Sequence, residues 1–175
     1  MSIRKFNNIS PVFPKSTYID EDAAVIGDVT IGEDSSIWPM CAIRGDVQKI
    51  TIGDRTNIQD GSVVHVTADN QFNPGGFATT IGNDVTIGHG AIIHACTIGN
   101  FALVGMGATV LDGAVIEDEA MVAAGSIVPP GKVLQGGYLW LGSPVKKARE
   151  LNDKEKEYLH FSSQHYVNLK NKYLD

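Results

Sequence analysis

The chain has 175 residues, 43% of them hydrophobic but only 7% aromatic, with 19 glycines and a formal charge of −6. That length can bury one continuous core, and the acidic balance leaves no basic footprint for nucleic acid. No apolar run approaches the roughly 18 residues of a membrane span, and residues 1–10 lack the hydrophobic core of an export signal, so the expectation is a cytoplasmic protein with neither nucleic acid nor membrane as partner.

From Ile19 onward, aliphatic residues recur every six positions: Ile19, Val25, Ile31, Ile37 and Ile43; Ile52, Ile58 and Val64; Ile81, Ile87 and Ile93; then Ile98, Val104, Val110, Ile116, Val122 and Val128. Two places before almost every one stands a small or short side chain, such as Ala23, Ser35, Ser62, Ala91 or Ala120. A six-residue period fits neither a 3.6-residue helix nor a simple alternating strand. It predicts an all-β solenoid over residues 1–142, a parallel β-helix of hexapeptide repeats with one short strand per repeat and three repeats per triangular coil. Cys41 and Cys96 fall on the small inward position, which makes them core thiols rather than a disulfide.

Three extra residues interrupt the grid between Ile43 and Ile52, and eleven between Val64 and Ile81. A solenoid carries insertions as loops thrown out from a corner, so loops are expected near 44–51 and 67–80, and such loops cluster at a binding face. After Gly142-Ser143-Pro144 the grid stops, and residues 143–175 read as a C-terminal extension. There Asn152 precedes Glu155 by three residues, an N-cap pattern, and Tyr158, Leu159, Ser162, Tyr166, Leu169 and Tyr173 follow at helical spacing. This predicts a helix over about 153–173 lying along the solenoid, carrying His160 and His165 as packing or solvated side chains.

Counting repeats assigns each strand to a face. Ile43, Val64 and Ile93 share one face in successive coils, and Ile37, Ile58 and Ile87 share the preceding one. Side chains alternate along a strand, so the residue after each inward aliphatic points outward. Arg44, His65 and His94 therefore form an outward column, while Asp60 lies in the column of His89 with Gln59 beside it. Adjacent coils lie about 4.7 to 4.9 Å apart, which lets His65 and His94 reach one ion at the roughly 2.0 to 2.1 Å of a zinc–imidazole bond. His89 precedes His94 by five residues, across a corner, and faces another direction. Three solenoids packed side by side about a threefold axis bring the His89 face of one against the His65 and His94 face of the next. The expectation is a homotrimer with a three-histidine metal site, and one open position, at each subunit interface.

The run Ile43-Arg44-Gly45-Asp46, then Asn57-Ile58-Gln59-Asp60-Gly61-Ser62, then His65, then Gly88-His89-Gly90-Ala91-Ile92-Ile93-His94 resembles the gamma-class carbonic anhydrases, especially their bacterial YrdA-like branch. The resemblance extends through Gly142-Ser143-Pro144-Val145-Lys146 to the terminal helix. It implies a left-handed β-helix trimer with metal at each interface, and reversible hydration of carbon dioxide to bicarbonate by metal-bound hydroxide. It also implies Gln59 as the residue that orients hydroxide or substrate, Asn57 behind it, Arg44 with Asp46 or Asp60 as an ion-pair network at the trimer contact, and Tyr138 as an aromatic near the site. Zinc is the expected ion; iron or cobalt also suits imidazole. Val47 stands where strongly active members carry a glutamate, and the long loop offers Asp69 but no glutamate, which implies slow proton transfer and weak turnover. Two other classes remain open from the sequence: a CoA-dependent hexapeptide acyltransferase using one histidine as general base, and a metal-binding trimeric scaffold without catalysis.

Overall fold

The computed structural model describes residues 2–174; Met1 and Asp175, the outer ends of the two units read from the sequence, lie outside the described residues. The chain forms a left-handed parallel β-solenoid of about eight turns with a single C-terminal helix, Asp153–Leu174. All seventeen aliphatic residues of the six-residue grid point inward and are buried. The grid also continues beyond Val128, with Leu134 and Trp140 filling the last two inward places.

Three faces follow from the strand register. On the first, Ser36–Ile37, Asn57–Ile58, Thr86–Ile87, Leu103–Val104, Met121–Val122 and Tyr138–Gly142 stack in parallel. On the second, the first half of Ala42–Ile52 stacks with Val63–His65, Ile92–His94, Thr109–Val110 and Ile127–Val128. On the third, the second half of Ala42–Ile52 stacks with Thr79–Ile81, Thr97–Ile98, Val115–Ile116 and Val133–Leu134.

The corner leaving the third face shows why the repeat reads Ile-Gly-Asx. Asn83 Oδ1 accepts the backbone N–H of Asp54 one coil earlier at 2.8 Å, and Asn100 Oδ1 accepts that of Asn83 at 2.9 Å. Asp54 and Asp118 do the same for Glu33 and Asn100. Each such oxygen fills the space where the preceding coil's side chain would begin: a Cβ on Gly82 would lie 2.7 Å from Asn100 Oδ1. Where the ladder ends, glycine is no longer needed, and Glu117 occupies the corresponding place.

The first insertion is carried as a bulge within a strand. Residues 44–51 run inside the continuous strand Ala42–Ile52, with a register shift against Ala24–Ile31 that absorbs the extra residues as a bulge. Gly27 pairs with Gly45 and Val29 with Ile50, so residues 46–49 bow out between these two paired positions. The second insertion leaves the corner as a narrow loop closed by antiparallel bridges, Thr67 with Phe77 and Asn70 with Asn73. Gln48 Nε2 donates to Gly75 O at 2.7 Å and ties the bulge to this loop.

The terminal helix begins with the reciprocal cap its sequence promises: Glu155 N–H donates to Asn152 Oδ1 at 3.0 Å, and Asn152 N–H to Glu155 Oε2 at 2.9 Å. Its inward face differs from the predicted one, because Leu159, Ser162, Ser163, Val167 and Lys170 are buried while Tyr158 stays exposed. Lys170 is only 1% exposed, its ammonium held by Asp34 Oδ1 at 2.8 Å and Asn171 Oδ1 at 2.7 Å. Cys41 and Cys96 are both free and buried, as their grid positions require.

Candidate metal centre

The second face carries the histidine column in register. His94 pairs directly with His65 in the neighbouring coil, and Arg44 follows inward Ile43 one coil before them. The two imidazoles tilt so that His65 Nδ1 and His94 Nε2 stand 3.2 Å apart. The other nitrogen of each ring is committed to a carboxylate: His65 Nε2 to Asp46 Oδ1 at 3.0 Å, His94 Nδ1 to Asp112 Oδ1 at 2.7 Å. Burial pushes both carboxyls up, but hydrogen bonds outweigh it, from His65 and Arg44 on Asp46 and from Thr67 and His94 on Asp112, and both sit below the usual carboxylate range. An ionised carboxylate only accepts, so the nitrogens facing Asp46 and Asp112 carry the protons in neutral imidazoles, and the nitrogens facing each other do not. Two bare lone pairs 3.2 Å apart repel unless a proton or a metal cation lies between them.

That spacing fits one ion. Two nitrogens each about 2.0 to 2.1 Å from a tetrahedral zinc stand roughly 3.3 to 3.4 Å apart. Among the described residues of one chain, however, no three His, Cys, Asp or Glu side chains are set to hold a metal. His89 lies past the first face, where its Nδ1 meets Asp60 Oδ2 at 2.8 Å and both side chains are about half exposed, at 49% and 48%. This leaves Nε2 of His89 directed by a carboxylate as well, so each of the three histidines has one.

The remaining sequence-predicted residues divide into those near these columns and one apart from them. Arg44 pairs with Asp46 on the histidine face. Asp60 is engaged by His89 and not by Arg44 within the chain. Asn57 and Gln59 are buried under the terminal helix: Gln59 Nε2 donates to Asn57 Oδ1 at 3.1 Å, Asn57 Nδ2 to Thr86 Oγ1 at 3.1 Å, and Thr86 Oγ1 meets Ser162 Oγ of the helix at 2.8 Å. The helix therefore fixes how Gln59 is held. Tyr138 lies three coils beyond His89 in the last hairpin, its hydroxyl donating to Glu150 Oε1 at 3.3 Å and Lys147 Nζ 3.9 Å over its ring. At about 4.8 Å per coil, that hairpin stands too far along the solenoid for Tyr138 to join the histidines of its own chain.

Two members of the site were not found by counting repeats. Asp112 and Thr67, whose hydroxyl donates to Asp112 Oδ2, complete the ring around His94.

No family model matches the chain. Individual relatives do. It is 53% identical over 173 residues to Protein YrdA of Escherichia coli, covering 99% of this chain and 94% of that one. It is 48% identical over 160 residues to Gamma carbonic anhydrase 2, mitochondrial, of Arabidopsis thaliana, covering 91% of this chain and 57% of that protein. The chain belongs to the gamma carbonic anhydrase family, in its YrdA-like branch. Among solved structures, a hexapeptide transferase family protein from Anaplasma phagocytophilum superposes with a TM-score of 0.91 at 44% identity, covering 98% of both chains. Within this family fold, the terminal helix covers only part of the first face. Next to it an apolar groove of about 550 Å³ runs from Gln59 and His89 past Leu103, Met106, Met121 and Leu139. Among the described residues, no helix is long and apolar enough to cross a membrane.

Proposed function

We propose that this protein is a metal-dependent carbonic anhydrase-like enzyme that hydrates carbon dioxide to bicarbonate, acting as a homotrimer in the cytoplasm. The observation that carries the reading is the facing pair of imidazole nitrogens 3.2 Å apart, each ring backed by its own carboxylate. Neutral imidazoles on carboxylates are the usual setting of a histidine-bound metal. His65 through Nδ1 and His94 through Nε2 would hold the ion, with Nε2 of His89 from a neighbouring subunit as third ligand. Zinc so held would lower the pKa of a bound water far below its ordinary value, to about 7, and would supply hydroxide at neutral pH.

The chain's own residues do the rest. Gln59 commits one amide N–H to Asn57, which fixes the amide so that its carbonyl oxygen would accept from a hydroxyl at the groove mouth and orient it. Arg44 holds Asp46 against His65 and keeps that ring fixed. Val47 cannot carry a proton, so the proton released in each cycle leaves through water, and turnover is slow.

The trimer reading is supported by two complementary surfaces. On the histidine face, Val63 and Ile92 stack as exposed aliphatic neighbours, and Ile127 follows beyond Thr109 in the same column, the three aliphatics 38% to 43% exposed. The groove beside His89 is apolar at the same coil heights. Side-by-side packing about a threefold axis lays the one against the other and brings His89 to the neighbour's His65 and His94.

Elemental analysis of purified protein together with stopped-flow carbon dioxide hydration, before and after metal exchange, tests the reading. His65→Ala, His89→Ala and His94→Ala should each lower bound metal sharply, and His160→Ala and His165→Ala should not. Equal metal content in all five variants would rule the site out. The likeness to a hexapeptide transferase family protein favours a second reading, a CoA-dependent acyltransferase. Acetyl transfer from acetyl-CoA that a chelator does not diminish would select it, and bound metal without metal-dependent turnover would select a non-catalytic scaffold.

A further inference from the structure

Asp112 is bonded at both oxygens to groups from two other segments, and neither the hydration chemistry nor the trimer contact calls for it. It follows inward Val110, which stacks on Ile93, so Leu111 takes the place beside His94 and Asp112 reaches back from the corner. Its Oδ1 accepts from His94 Nδ1 at 2.7 Å, and its Oδ2 accepts from the Thr67 hydroxyl. Thr67 opens the long loop and is pinned there by a pair of backbone bonds with Phe77, at 3.0 and 2.9 Å.

We propose that Asp112 is a positioning residue for the metal centre, selecting the His94 tautomer that leaves Nε2 bare toward His65, and that Thr67 locks Asp112 in this role and so couples the long loop to the centre. The inference rests on the metal reading above. Without an acceptor at Nδ1, neutral His94 can carry its proton on Nε2 instead, which points an N–H at the place where the ion would bind. The ring also loses the contact that sets its rotation about χ2. Arg44 and Asp46 do for His65 what Thr67 and Asp112 do for His94, so the two rings are held by matching but independent pairs. Asp112 is 31% exposed, so its removal leaves a place that water can fill, and the solenoid core does not depend on it.

The test compares zinc affinity, by competition with a chelator, in the full-length protein and in Asp112→Ala, Asp112→Asn and Thr67→Val. The visible absorption of the cobalt-loaded forms reports ligand geometry. Asp112→Ala should weaken zinc about 10- to 100-fold and change the cobalt bands. Asp112→Asn should recover part of the affinity, because its amide oxygen still accepts from Nδ1–H, and Thr67→Val should fall between Asp112→Asn and the unmodified protein. Thermal midpoints of the metal-free forms should stay together. Zinc affinity unchanged in Asp112→Ala overturns the proposal. So does an equal loss in the alanine and asparagine variants that follows a matching drop in the metal-free midpoint, the mark of a merely structural role. Unmodified protein that takes up no metal overturns the metal reading and this inference together.

Discussion

Gly53 and Glu117 occupy equivalent places in the repeat, and what the next coil sends toward each decides which residue fits. Over Gly53 a Cβ would lie 2.7 Å from both the carbonyl carbon and oxygen of Gly82, so neither backbone nor side chain can yield cheaply. Gly53→Ala should therefore cost about 1 to 3 kcal/mol, the usual penalty for overpacking, whereas Glu117→Ala should stay below about 1 kcal/mol. Urea midpoints for the two variants check this, and equal losses would show that the side-chain ladder does not dictate the glycines. The same phase logic made His65, His89, His94 and Asp60 legible in the sequence, because a fixed period fixes which side chains face outward. It could not reveal Asp112 or Thr67. Both lie off the inward grid, at a corner and at the root of a loop, where repeat counting does not set the direction of a side chain. Tyr138 shows the converse: its motif resembles the family's, but its coil is three steps from the His89 of its own chain.

The terminal helix was readable as an element because its cap is local: Asn152 and Glu155 are three residues apart and bond each other. Its buried face was not, since Lys170 goes inward only because Asp34, 136 positions earlier in the chain, waits there. At 44–51 the insertion itself was legible, but not its form, because a bulge inside one strand depends on pairing partners that the sequence does not display. The cap makes a pH prediction. The forked hydrogen bond from Arg149, followed by the N–H of Asn152, holds the Glu155 carboxyl at about 2, well below its ordinary 4.5. A carboxyl depressed by folding stabilises fully above its ordinary value, and that contribution is lost as pH falls from about 4.5 through about 2. Thermal midpoints followed by circular dichroism between pH 6 and pH 2 should therefore fall less steeply for Glu155→Gln than for the unmodified protein. Identical slopes would show that the Arg149 pair does not survive in solution.

At the scale of the whole molecule, the three candidate ligands divide unequally between two faces, with His65 and His94 on one and His89 past the other. A solenoid cannot bend its own corner to join them, so a site using all three would need a neighbouring subunit, as proposed above. Ligands donated by two chains can be complemented between mutants, and ligands donated by one chain cannot. Refolding a mixture of His89→Ala and His94→Ala chains should regenerate intact sites at mixed interfaces, where one subunit supplies His65 and His94 and its neighbour supplies His89. If the subunits mix at random in equal amounts, about one interface in four carries the full set. A mixture of His65→Ala and His94→Ala chains should regenerate none, because both losses fall on the same donating face. Bound metal after desalting, together with sedimentation to establish the trimer, reads out both mixtures. Recovery in the second mixture but not the first would mean that His65 and His94 come from different subunits, and the face assignment on which the site rests would be wrong even with zinc present.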